Sequence, residues 1–249
     1  SPLTGVPVPY PSKAGQIANR VYVGDADGTL WRIDLSKTNP DEWSADMIWD
    51  AYEGLADDAG QPIQTPPIVS IDTLGNSVIL LSTGDQELIN STSPKTRVYS
   101  LLELPSGTSF KVKKNFVIDD MVDGERVTGP ISLFGGTAYF SSFKPKSDAA
   151  DACNYGEGKL WGVDYLTKKG RLDPLDDTVL WQSAGANSVV FGVAVTQTPS
   201  CADTTTYDSP YFGSYTGLSG GTPGEYQLVY QVSGEKKGVV PPGTSVFKA

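Results

Sequence analysis

Arg20-Val21-Tyr22-Val23-Gly24-Asp25-Ala26-Asp27-Gly28-Thr29-Leu30-Trp31-Arg32-Ile33-Asp34-Leu35 reads as two short strands around a tight turn. Side chains alternate in character on either side of Asp27-Gly28, a pair that favours hairpin turns. The second half of this unit returns later. Gly28-Thr29-Leu30-Trp31-Arg32-Ile33-Asp34 is echoed by Gly158-Lys159-Leu160-Trp161-Gly162-Val163-Asp164, and each copy is followed by a Trp-bearing segment, Met47-Ile48-Trp49-Asp50 and Val179-Leu180-Trp181-Gln182. A hairpin followed by a further strand, twice over, is the pattern of a propeller blade.

Other strand candidates fill the space between the copies. Pro67–Ile71, Ser77–Leu81, Arg97–Leu101 and Phe110–Val112 make four strands of one sheet. Gly129–Leu133 and Thr137–Ser141 supply the first two strands of the blade that holds Trp161, and Val189–Val195 with Tyr226–Gln231 belong to a last one. The repeat is about 55 to 65 residues, which suits a four-stranded blade with its loops. The chain then holds about four blades, the first without a clear innermost strand, and is expected to be an open part of a larger modified ring. Unpaired strand edges on an open ring require cover from further blades or a partner. A pair of β-sandwiches is the alternative architecture. Residues 200–224 read as a long loop insertion and 238–249 as an extended Pro/Gly-rich tail, so that residues 1–249 form one propeller segment.

Composition narrows the function. The 249 residues carry a formal net charge of −10, with 39% hydrophobic residues, 27 Gly and 18 Pro. Such a chain folds and turns often. Its acidity argues against nucleic acid as a partner and against adsorption to anionic membranes. No apolar stretch is long enough to cross a bilayer as a helix. Histidine is absent, which removes the commonest general base and metal ligand together. The two cysteines, Cys153 and Cys201, sit in polar segments too far apart for a Cys-x-x-Cys motif, and are read as a candidate disulfide of an exported protein.

The order of these segments resembles the C-terminal domain of the PilY family. The resemblance rests on Arg20–Leu35, on Gln64-Thr65-Pro66-Pro67-Ile68 with Ser82-Thr83-Gly84-Asp85, and on Glu125-Arg126-Val127-Thr128-Gly129-Pro130 followed by Thr137-Ala138-Tyr139-Phe140, and it covers most of residues 15–232. It implies a quinoprotein-like β-propeller without enzymatic activity. It also implies export through the periplasm to the cell surface or pilus tip, minor pilins as partners, and a role in type IV pilus assembly, retraction control, twitching motility and adhesion. Some family members carry a calcium loop before the first strand pair. Here Lys13–Arg20 offers at most Asn19 as an oxygen ligand, too few for a hard cation, so neither calcium nor another cofactor is expected.

Each remaining motif has a structural reading. Asp25-x-Asp27-Gly28 lacks the later ligands of a calcium loop and reads as the hairpin turn. The acidic runs Asp119–Glu125 and Asp173–Asp177 read as solvated loops, and Asn90-Ser91-Thr92 is a short glycosylation-type pattern. Trp31, Trp49, Trp161 and Trp181, with Asp34 and Asp164, are taken as blade-packing positions, whereas Trp43, outside the repeat, is the candidate contact residue. A generic extracellular scaffold and a quinoprotein dehydrogenase are the competing functions. The second requires a complete propeller, a calcium ion and an acidic base, and family members commonly add adjacent cysteines.

Overall fold

The computed structural model describes residues 1–11, 15–55, 60–86, 95–106, 109–146, 156–173, 175–186, 188–197, 204–209, 213–218, 226–229, 232–233 and 247–248. Cys153, Cys201 and the Asn90–Thr92 pattern lie outside them. Among the described residues the fold is all-β, and the only helical element is a 3-10 turn at Pro40–Glu42.

Three antiparallel meanders follow one another. The first runs β1 (Val8–Tyr10), β2 (Arg20–Gly24), β3 (Thr29–Asp34) and β4 (Ser44–Asp50). The second runs β5 (Ile68–Ile71), β6 (Ser77–Ser82), β7 (Val98–Ser106) and β8 (Ser109–Ile118). In the third, the first strand is split into β9 (Arg126–Val127) and β10 (Ser132–Phe134), which pair with opposite ends of β11 (Thr137–Pro145), and β12 (Gly156–Asp164) and β13 (Trp181–Ala186) complete the sheet. A fourth set of pairings repeats that split. Here β14 (Val189–Val190) and β15 (Ala194–Gln197) pair with β19 (Val232–Ser233) and β18 (Tyr226–Val229), and β18 also pairs with β20 (Phe247–Lys248).

Four expectations change. The first sheet does have a fourth strand, β1, before β2. Its Pro7, Pro9 and Pro11 disguise it, but proline is tolerated on an edge, and β1 is the edge of its sheet. Val189–Val195 is two strands in separate pairings, broken at Gly192, whose φ of 69° and close approach to the third sheet (its N–H donates to Thr128 O at 2.9 Å) interrupt the ladder. The 200–224 insertion carries a hairpin, β16 (Thr204–Ser209) with β17 (Gly213–Leu218), as its β-branched Thr204-Thr205-Thr206 run favours. Within the 238–249 tail, β20 is a paired strand.

The register shows which positions correspond. Leu30 and Val98 each sit opposite the last residue of the preceding strand (Gly24 and Ser82), and Leu160 sits opposite Ser141 in the middle of β11, which runs on past this position. Each faces the next sheet, because Leu30 packs with Ile79, Leu81 and Leu101, Val98 with Ala138 and Phe140, and Leu160 with Val190, Val193 and Leu228. The following residues, Trp31, Tyr99 and Trp161, face the other way by strand alternation. Tyr99 packs towards the first sheet and Trp161 towards the second, stacked on Phe140 with centroids 5.5 Å apart. Three separate cores therefore lie between consecutive sheets, and β6 is buried along its whole length.

Arg97-Val98-Tyr99 is thus a third copy of the tryptophan motif, concealed by Tyr for Trp and by Leu102 at the position of Asp34 and Asp164. Where the aspartate stands the strand ends. Where Leu102 stands, β7 runs on to Ser106. Trp49 and Trp181 do not correspond, since Trp49 lies opposite Leu30 across a bulge and Trp181 lies opposite Trp161.

Trp161 is fully buried and packs against two strands, so Trp161→Ala is expected to cost about 3 to 5 kcal/mol. Trp31→Ala, on a half-buried face, is expected to cost clearly less. Urea unfolding of the two variants checks the order.

Candidate functional site

Asp25 anchors the deciding turn. Its Oδ1 accepts the N–H groups of Asp27 (3.1 Å) and Thr29 (2.8 Å), and its Oδ2 accepts the Thr29 hydroxyl and Trp31 Nε1 (3.1 Å). Burial pushes this carboxyl up, but the bonds from Thr29, Trp31 and Asp27 outweigh it and hold it below the usual carboxylate range. The carboxylate is fully used, which agrees with the turn reading of Asp25 and Asp27. Gly28 has a φ of 86° and lies so close to Tyr52 and Gln61 O that a Cβ would collide with both.

Asp34 and Asp164 do the same work at the far end of their strands. Asp34 Oδ1 accepts Ser36 N at 2.8 Å and Oδ2 pairs with Arg32 at 3.0 Å. Asp164 Oδ1 accepts Leu166 N and Thr167 N, both at 3.0 Å, and Oδ2 pairs with Arg171 at 2.6 Å. The bonds from Ser36, with Arg32, bring Asp34 down to about 2 against burial. Asp173 and Asp176 each accept a backbone N–H two residues on, and Asp119 and Asp120 face Lys168.

The motif aromatic and the residue two positions before it hold the segment that links one sheet to the next. Arg97 Nη1 and Tyr99 Oη donate to Ala51 O at 2.8 and 2.6 Å. Lys159 Nζ donates to Glu125 Oε2 at 2.9 Å, and Trp161 Nε1 donates to Ser142 Oγ at 2.7 Å, whose own hydroxyl donates to Glu125 Oε1. Glu125 is fully buried and Lys159 nearly so. The entry to each following sheet is tied in a similar way, for the carbonyls of Ile63, Val127 and Val190 accept from Thr4 (3.4 Å), Gln86 (2.7 Å) and Thr128, which belong to or flank the preceding sheet. Thr4 and Thr128 do this with hydroxyls, whereas the second sheet uses the Gln86 amide and Thr65 turns to Ser82 within its own sheet, at 2.7 Å, so no single residue type marks the tie in the sequence.

Of the predicted packing tryptophans, Trp161 is buried, Trp49 meets Tyr99 edge-on at 5.6 Å, and Trp31 is half-buried. Trp181 is 40% exposed beneath the Lys159 ammonium, 4.4 Å from its ring centroid. Trp43, the candidate contact residue, is 46% exposed on the loop before β4, with its indole N–H on Lys37 O at 3.0 Å.

The concave feature with charged walls was not anticipated. A cavity of about 280 Å³ opens between the first and second sheets, lined by Arg20, Arg32, Asp34, Ser77, Glu103 and Phe110 among others. Arg20 Nη2 donates to Ser77 Oγ at 2.6 Å, and its guanidinium lies 4.7 Å from the centre of the Tyr10 ring. Arg32 pairs with Asp34, lies 3.5 Å from Glu103 Oε1, and sits 4.4 Å from the centre of the Phe110 ring. Tyr22 Oη donates to Glu103 Oε2 at 2.5 Å, and burial, then the Glu103 charge, push its phenol well above the usual range.

Compared with family models, curated proteins and solved structures, the chain has no match. Among the described residues no group of three or more His, Cys, Asp or Glu side chains is placed to hold a metal ion, and no helix is long and apolar enough to cross a membrane.

Two outcomes follow. The Asp34 carboxyl is lowered by folding, so its stabilisation is complete above the ordinary carboxyl value near 4 and is lost as pH falls from there to about 2. Thermal melts of Asp34→Asn should show a shallower acid-side loss than the parent. Lys159→Met leaves Glu125 charged and buried, so it should cost about 3 to 5 kcal/mol, and Glu125→Gln in the same chain should recover part of that loss in a double-mutant cycle.

Proposed function

We propose that the chain is a non-enzymatic binding module, a run of about four β-propeller blades of the quinoprotein-like type within a larger modified propeller. We propose further that it acts at the tip of type IV pili in assembly, retraction control, twitching motility and surface adhesion. The observation that carries the blade reading is the thrice-repeated four-stranded meander, with an aliphatic residue facing forward in each and, in the second and third, an aromatic facing back onto the preceding sheet. The pilus assignment is supported by the ordered similarity to PilY-type sequences.

This reading has a place for further blades. Trp31 occupies the position that Tyr99 and Trp161 fill against a preceding sheet, and on the same face it adjoins Val23 and Met47 in the strand register, with Met47 54% exposed. A preceding blade of the same kind is the natural cover for that face. Minor pilins are the proposed partners, the protein is placed outside the cell after passage through the periplasm, and no cofactor is assigned.

Antibody to this domain, applied to the native organism, should label pilus tips, and deletion of the major pilin should abolish the label. Label confined to the cytoplasm, or captured partners without pilins, would instead favour a general scaffold.

A further inference from the structure

We propose that the outer strand of the second sheet, β8, is a docking edge for an acidic segment of a partner protein, which adds to the sheet as a further strand. Among the described residues β8 pairs with β7 alone, so its other side is a free row of backbone N–H and C=O groups. The hairpin is also longer than its counterparts. Strands β3 and β12 end at Asp34 and Asp164, whereas β7 passes that position and pairs with β8 as far as Ser106 and Ser109. From Ser109 to Lys114 this pairing is unbroken, and the first irregularity is the extra residue Asn115. An unbroken edge of ordinary strand length is what strand addition requires.

Charge names the partner. Lys111, Lys113 and Lys114 are exposed and form no ion pair among the described residues, in a chain of net charge −10. The other outer strands differ, since the charged residues of β4 are Asp46 and Asp50 and β13 has none. A charged edge resists pairing with its own copies. Aspartate serves that end as well as lysine, so the three cations on β8 do something more: they attract an acidic strand. Register sets the pattern of that strand. Lys111 and Lys113 lie opposite Leu104 and Leu102, on the face turned from the first sheet, and neither leucine joins any of the three cores. On the other face Phe110 lies against Arg32, and Val112 packs on the core shared with the first sheet. A neighbour that alternates acidic and apolar residues sets carboxylates beside Lys111 and Lys113 and aliphatic groups beside Phe110 and Val112, both favourable cross-strand pairs.

The test uses the whole chain, labelled with nitrogen-15 and held at constant ionic strength. It is titrated with a short peptide of alternating glutamate and valine, with the lysine counterpart of that peptide, and with the glutamate peptide interrupted by a central proline. The backbone amides of Ser109–Lys114 should shift saturably with the glutamate peptide and exchange more slowly with solvent, while those of β4 and β13 should not. The lysine peptide should not bind. The proline peptide keeps the charge but loses a ladder donor, and should bind clearly more weakly. Replacing both Lys111→Glu and Lys113→Glu should weaken the glutamate peptide about tenfold or more and admit the lysine peptide instead. Unmoved β8 amides in the parent protein would overturn the proposal whatever the variant does. So would equal binding of the proline peptide, which would mean charge attraction without strand pairing, or a doubly substituted chain that keeps its backbone spectrum elsewhere and binds the glutamate peptide as well as the parent.

Discussion

Strand β6 has no exposed residue from Ser77 to Ser82, and its neighbours Ile79 and Leu80 point into different cores. A strand buried on both faces needs a sheet on each side of it, because about 25 cal/mol per Å² of apolar surface is at stake on either face. Much of β11 is buried in the same way, with Ala138 and Phe140 turned to one core and Tyr139 to the other. In a two-layer sandwich each sheet has a single inner face. The burial of β6 and β11 is instead that of sheets stacked in succession, and the aliphatic-forward, aromatic-back order follows from it. A forward Leu or Val leaves room for the larger ring that the next sheet sends back.

Part of the acidic composition holds the connections between these strands. Asp25, Asp34, Asp50, Asp72 and Asp164 each accept a backbone N–H two residues on, so the carboxylate replaces a ladder partner that the turn has removed. Such aspartates add negative charge wherever a meander reverses.

The parts of the fold legible in the sequence are those where one residue type meets one local need. Asp27-Gly28 marked the first hairpin, and the Leu-Trp copies marked β3 and β12. What escaped was set by contacts distant in sequence. The β1 strand is written in prolines, and only its edge position makes that acceptable. The third motif copy needed the register to be seen, since Tyr99 keeps the ring but not the residue type. The charged cavity was invisible because Arg20, Arg32 and Glu103 come from two sheets, and the alternation that identified the strands does not show which charged residues will face each other. The Cys153–Cys201 pairing belongs to neither group, since both residues lie outside the described structure.

The position two residues before the motif aromatic shows how one constraint takes different chemistry in different sheets. Arg97 and Lys159 reach back to the segment that crosses from the preceding sheet, one taking the Ala51 carbonyl and the other the Glu125 carboxylate, with Tyr99 and Trp161 beside them. A crossing segment has no ladder of its own, so its polar groups must be met by side chains once the sheets close over it. A long cation with several donors suits that task. In the first sheet the same two positions are Thr29 and Trp31, and both turn to Asp25 in their own hairpin. The short hydroxyl is enough there, because the group to be held is four residues away rather than in another sheet.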